Sequence, residues 1–167
     1  LPSFFDLFAE LLNKKNIPEE FKFTANKNLM SLIVGFHLHQ GIMAIGKIPE
    51  QTNLLKLKPP IIALNGIINS ENVGAIVRNA AAFGINSIIF DKQTSHPYLR
   101  RAVRVSMGTI FLVNYYQSLN LSHDLKTLQT KNKFEIIASE LTPNSIPINN
   151  FKFKNKSAII FGSEGKG

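Results

Sequence analysis

Two stretches of the chain carry residue types at spacings that chemistry can use. The first is Asn65-Gly66-Ile67-Ile68-Asn69-Ser70-Glu71-Asn72-Val73-Gly74, which runs into Ala75-Ile76-Val77-Arg78-Asn79-Ala80-Ala81-Ala82-Phe83-Gly84. Val73, Ile76, Val77 and Ala80 fall on one stripe of a helix. Arg78 falls on the other side with Ala75 and Ala82, small residues that leave its surroundings open. Asn72 or Ser70 suits the start of that helix as a cap, and Gly84 suits its left-handed end. An arginine so placed is either a solvated charge or a planar fork that grips phosphate in a bidentate way.

The second stretch is Ala158-Ile159-Ile160-Phe161-Gly162-Ser163-Glu164-Gly165-Lys166-Gly167, a buried strand running into a glycine-rich loop. A phosphate loop needs four residues between its glycines and then Lys-Ser/Thr. Here two residues separate Gly162 from Gly165, and Lys166 is followed by Gly167. What the loop offers is close backbone approach to a ligand, with the acid Glu164 at the strand tip. The histidines His37, His39, His96 and His123 show no metal spacing with nearby acids, so no metal site is expected.

The chain has 167 residues with Lys plus Arg 19 and Asp plus Glu 11, a net charge of +8. Its apolar share of 44% is that of a globular domain that can bury a core. Cysteine is absent, which removes disulfides, thiolate nucleophiles and cysteine-ligated metals and suits a reducing compartment. No basic segment precedes an apolar one at the start, and Leu29 to Gly46 is interrupted by His37, His39 and Gln40. These features predict a basic cytoplasmic domain with no membrane span. All four arginines, Arg78, Arg100, Arg101 and Arg104, lie within residues 61–120. Arg100 and Arg104 are four apart and would share one helix face with Arg101 beside them, which is either an ordinary basic helix face or a grip for a phosphate backbone.

The elements that must position these residues follow from periodicity. Residues 3–15 predict an amphipathic helix, Phe21–Phe23 a short extended piece, Asn26 to about Gly35 a second helix, and His39–Ile45 a strand. Together, residues 1–46 read as a small α/β fragment. Residues 47–60 hold three prolines and read as a linker. From residue 61 short apolar runs at Ile61–Leu64, Ser87–Phe90, Thr109–Val113, Phe134–Ala138 and Ala158–Phe161 predict strands. Helical patterns lie between them at Val73–Phe83, Tyr98–Met107 and Leu119–Lys131. That alternation predicts an α/β fold, a mainly parallel sheet covered by helices on both faces. Ligands of such sheets sit beyond the carboxyl ends of the strands, so Asn65–Gly74, Asp91–Pro97 and Gly162–Gly167 are the segments to inspect.

The order of these pieces resembles the SpoU family of RNA ribose 2′-O-methyltransferases, within the SPOUT superfamily. Asn72, Gly74, Arg78 and Phe83-Gly84 match its first motif. Gly162, Glu164 and Gly167 match the Gly-x-Glu-x-x-Gly of its second, and Arg104-Val105-Ser106-Met107-Gly108 resembles its Arg-x-Ser-x-Gly segment. His39-Gln40-Gly41 resembles the end of the ribosomal-protein-L30e-like RNA-binding domain that many members carry. The resemblance spans about residues 26–167. The residues before Asn72 are Asn69-Ser70-Glu71 where members often carry Asp-Pro, which alters the turn more than the chemistry. The family's third motif, an Ile-Pro turn followed by Ser-Leu-Asn, has no match, and Ile146-Pro147 precedes the second motif. That motif closes the family's trefoil knot, so residues 61–167 are expected to form an incomplete, unknotted methyltransferase domain with half the cofactor cradle.

The resemblance implies that S-adenosylmethionine is the methyl donor and that ribosomal RNA, favoured over transfer RNA, is the acceptor. It implies Arg78, Asn72 and Glu164 as catalytic residues and Gly162, Ser163 and Gly165 as cofactor contacts. Arg78, Arg100, Arg101, Arg104 and His39 would contact RNA, and the family works as a homodimer. The alternative is a non-catalytic RNA-binding module of the same fold, which would bind RNA with a steep salt dependence and transfer no methyl group.

Overall fold

A computed structural model describes residues 6–37 and 42–163, and the chain falls into two compact units, Leu1–Lys47 and Ile48–Gly167. In the first unit, α1 spans Ala9–Lys14 and α2 spans Lys27–Val34. The Asn26 side chain caps α2 by accepting from Leu29 N at 2.9 Å, and Gly35 ends it in the left-handed region at φ 73. Both ends of the second helix lie where the sequence places them. The extended piece expected at Phe21–Phe23 is instead a 3-10 turn, Glu19–Phe21, followed by irregular chain, and residues 42–46 carry no strand. Residues 38–41, including His39, lie outside the described residues. A strand needs a neighbour to take its hydrogen bonds, and none is offered among the described residues of this unit. None of them is buried either. Apolar spacing alone therefore gave helices here but not a sheet.

The second unit is built on five parallel strands: β1 (Ile61–Leu64), β2 (Ser87–Asp91), β3 (Asn114–Ser118), β4 (Glu135–Ser139) and β5 (Ser157–Phe161), in the order β3-β2-β1-β5-β4. Three helices join them: α3 (Ser70–Ala82), α4 (Arg100–Val105) and α5 (Leu121–Asn132). Side chains alternate across a strand, and the core divides accordingly. Ile62, Leu64, Ile88 and Phe90 pack under α3 with Val73, Val77, Ala80 and Ile110. Ile61, Ala63, Ile89 and Ala158 pack on the opposite face with Leu125 and Leu128 of α5. Both faces are covered, which is why β1 and the Ile88–Phe90 stretch of β2 read as unbroken apolar runs.

Two expectations are corrected. Thr109–Val113 is not a strand: Thr109–Leu112 forms a 3-10 turn, and β3 follows it at Asn114–Ser118. Gly108 at φ 79 turns the chain, Thr109 Oγ1 bonds Ser106 O at 2.7 Å, and only Ile110 of the apolar run is fully buried. The true strand is an edge strand with polar Asn, Gln and Ser, so it lacked the apolar signature. The proposed linker, residues 47–60, is from Ile48 onward part of the second unit. Leu54 and Leu57 enter the core beside α5, Thr52 N bonds Tyr115 O at 2.8 Å, and Tyr115 Oη bonds Pro49 O at 2.6 Å. Burying two leucines at about 1.5–3 kcal/mol each is ample reason for the segment to pack. Its prolines prevent ladder pairing without preventing burial. No helix among the described residues is long and apolar enough to cross a membrane.

Candidate functional site at the strand ends

Strand order reverses at β1: β2 and β3 extend the sheet to one side, β5 and β4 to the other. The carboxyl ends of β1 and β5 therefore flank the crevice where an open α/β sheet places its ligand. The chain leaves β1 at Asn65, whose N–H donates to Phe161 O at 2.9 Å. Gly66 follows at φ 68, and a side chain placed there would stand 3.8 Å from both Gln93 Oε1 and Ser163 Cβ. The three segments singled out in the sequence thus converge on one glycine.

A buried clasp holds two of them together. Asp91, 8% exposed at the end of β2, accepts at Oδ1 from Gly66 N (3.1 Å), Thr94 N (2.8 Å) and Thr94 Oγ1 (2.7 Å). Thr94 Oγ1 in turn accepts from Ile67 N at 3.1 Å, and Ser95 N donates to Ile67 O at 2.9 Å. Sequence reasoning marked the segment but neither Asp91 nor Thr94; the spacing Asp-x-x-Thr at a strand end, a local turn closed by side-chain acceptors, was the available signal. Asp91→Ala leaves the buried N–H of Thr94 and the half-buried N–H of Gly66 without an acceptor, at about 1–3 kcal/mol for the buried group. Urea denaturation is expected to show a loss of that order.

The clasp delivers the chain to α3. Asn69, not Asn72 or Ser70, caps this helix, its Oδ1 accepting from Glu71 N at 2.8 Å. Asn72 stands half-buried in the first turn, and Gly84 takes the left-handed conformation expected of it at φ 74. At 100° per residue Glu71, Gly74 and Arg78 lie along one side of α3, the side that meets α4. There Gly74 packs so closely that a Cβ would stand 2.5 Å from Ala102 O. One turn further on, Arg78 is exposed at the rim of that seam.

The α4 arginines are exposed as well. Arg101 Nε donates to Glu71 Oε1 at 2.9 Å, an exposed pair worth at most about 1 kcal/mol. Arg101 is therefore tied to the first turn of α3 and must leave Glu71 to grip a phosphate. The Arg104-Val105-Ser106-Met107-Gly108 segment ends α4: Ser106 is buried with its Oγ on Val103 O at 2.8 Å, and Gly108 is left-handed. Gly162 and Ser163 sit half-buried beyond β5. Glu164 and Gly165 lie outside the described residues. A groove of about 440 Å³ opens between α5 and the strand ends, with Leu125, Ile136 and Ile160 as its apolar floor and Asn65 and Lys126 on its rim. No group of three or more His, Cys, Asp or Glu that could hold a metal ion occurs among the described residues.

His96 closes the loop after β2. Its Nδ1 accepts from Tyr98 N at 3.2 Å, and its ring stands edge-on to Phe90 at 5.2 Å. Burial lowers its pKa below the ordinary 6.5. A depressed folded value means that the unfolded chain binds the proton more readily, so stability is lost as pH falls through about 6.5. Thermal melts between pH 7.5 and 5 are expected to show this loss, reduced in His96→Gln.

The chain's relatives fit this geometry. Residues 59–167 match the model of the SpoU rRNA Methylase family. The chain belongs to that family. An uncharacterized tRNA/rRNA methyltransferase of Mycobacterium tuberculosis is 31% identical over 156 residues, covering 87% of this chain and 52% of that protein. The 23S rRNA (guanosine-2'-O-)-methyltransferase RlmB of Vibrio parahaemolyticus is 31% identical over 138 residues, covering 77% of this chain and 55% of that protein. The chain thus spans about half the length of the curated relatives it matches. Among solved structures, an rRNA methyltransferase from Sinorhizobium meliloti with AdoMet bound superposes with a TM-score of 0.65 at 21% identity, over 85% of this chain and 55% of that one. The parallel α/β architecture of the SpoU fold is therefore established for this chain.

Proposed function

We propose that this SpoU chain takes part in transfer of a methyl group from S-adenosylmethionine to a ribose 2′-hydroxyl of RNA, ribosomal RNA in preference to transfer RNA. The observation that carries the reading is the convergence of three loops on Gly66 at the reversal of strand order, one of them opening the helix that bears Arg78. Gly66 presents bare backbone there, with Ser163 beside it, a wall of peptide groups that fits a flat nucleoside. Gly66, Gly162 and Ser163 would hold the cofactor. When bound, it supplies an electrophilic sulfonium methyl.

The chain's own residues address the other half of the problem, a ribose hydroxyl that is barely acidic and must stand in line with that methyl. Arg78 orients the hydroxyl through the adjacent phosphate and stabilises the negative charge that develops on oxygen. Placement of this kind is worth roughly 7–11 kcal/mol in favourable cases. Asn72 and Glu164, by their match to the family motifs, hold the target nucleotide and the arginine. Support for the substrate comes from the rRNA methyltransferase named above, to which this chain is similar. The reading includes a homodimer, which sedimentation equilibrium reads directly. The deciding experiment titrates S-adenosylhomocysteine calorimetrically into this chain and into its full reading frame, because the chain is expected to hold half the cofactor cradle, and then follows labelled methyl groups into ribosomal and transfer RNA. Cofactor binding with ribose methylation is expected. RNA binding without cofactor binding would make the chain an RNA-binding module.

A further inference from the structure

All five strands are parallel, so the residues that enter them share one edge of the sheet, opposite the catalytic loops. Lysines crowd the entries to β1, β4 and β5: Lys56 and Lys58, Lys131 and Lys133, Lys154 and Lys156, all exposed. The three segments are bonded to one another. Lys156 Nζ donates to Asn132 O at 3.4 Å, Asn132 Nδ2 donates to Leu55 O at 3.3 Å, and Glu135 N donates to Lys156 O at 2.8 Å. Six exposed lysines therefore lie on three segments bonded to one another, and Glu135 Oε1 pairs with Lys154 at 3.1 Å.

We propose that this lysine edge is a second RNA-backbone surface, separate from the arginine side of α3 and α4. The inference rests on the RNA substrate proposed above. Lysine is depleted at protein–protein interfaces, whereas exposed ammonium groups on flexible stems suit the sequence-independent grip of phosphates. The edge lies about one five-residue strand, roughly 16 Å, from the catalytic loops. An RNA long enough to reach both is held on either side of the methylated nucleotide.

The test is fluorescence anisotropy of a labelled ribosomal RNA fragment across a salt series, using the whole chain and its Lys56→Gln/Lys131→Gln/Lys156→Gln variant, one substitution per segment. Each lost contact with single-stranded RNA lowers the slope of log K against log salt by about 0.7, so the triple variant is expected to flatten it by about two. Affinity for S-adenosylhomocysteine is expected to stay unchanged, which also shows that the variant has folded. Glu135→Gln, which removes the carboxylate paired with Lys154, is expected to bind RNA more tightly. RNA binding of unchanged slope in both variants overturns the lysine edge and leaves the methyltransferase reading standing. No RNA binding by the unaltered chain at low salt overturns both. Loss of binding to a polyglutamate peptide, with RNA binding unchanged, overturns it in favour of a protein partner.

Discussion

Arg78→Ala is expected to lower methyl transfer to RNA by at least about 10²–10³-fold, the cost of removing one fixed group that stabilises charge developing in a transition state. The fold should survive. Arg78 is exposed and makes no ion pair or hydrogen bond among the described residues, so its loss should move stability by no more than about 0.5 kcal/mol. The two readouts separate a role in the reaction from a role in the structure: turnover with RNA collapses while the thermal midpoint and S-adenosylhomocysteine affinity hold. Arg78→Lys sharpens the point. It restores a charge without the planar fork that engages hydroxyl and phosphate together, so it should recover only part of the activity. Turnover near that of the unaltered chain in Arg78→Ala would refute the assignment.

Gly74→Ala is expected to be the most damaging small change to stability. Alanine raises helix propensity by about 1 kcal/mol over glycine, and in an open helix it would stabilise. Here the added Cβ would stand 2.5 Å from Ala102 O, 2.9 Å from Val105 Cβ and 3.1 Å from Ala102 Cα. Two of those atoms are backbone and the third is a Cβ fixed to it, so no rotamer change relieves the contact. The helices must part, at a cost of about 1–3 kcal/mol for overpacking of this kind. Parting them also shifts Arg78 relative to the α4 arginines, so transfer should fall along with the urea midpoint. An unchanged midpoint would show that the α3–α4 seam has slack that the geometry does not reveal.

Much of the second unit was legible in its sequence because both faces of its sheet are buried. Central parallel strands covered on both sides must be apolar throughout, and Ile61–Leu64 is recovered to the residue. α3 and α5 show a helical apolar stripe for the same reason. Legibility failed where burial was one-sided or local bonding decided. β3 is an edge strand with Asn114 exposed, and the apolar run before it is bent into a 3-10 turn by Gly108 and Thr109. Residues 48–60 looked like a tether because of their prolines, yet Leu54 and Leu57 bind them to the core. Both outcomes depend on what lies across from the segment, and that information is not local.

The same division runs through the site. Residue types and spacings by themselves determined the chemistry on offer: an arginine one turn beyond a helix glycine, a glycine-rich strand end, and four arginines gathered in the middle of a basic chain. They also determined the alternation of strands and helices that brings such segments to one end of a sheet. Local backbone geometry decided that Asn69 rather than Asn72 caps α3, and tertiary structure alone decided that Asp91 and Thr94 clasp the loop at Gly66. It alone decided that Glu71 holds Arg101, and that lysines from three distant segments meet at one edge. The reason is physical. A periodic pattern records which side of an element is buried, whereas a hydrogen bond or ion pair between segments 24 to 77 residues apart depends on strand order and register.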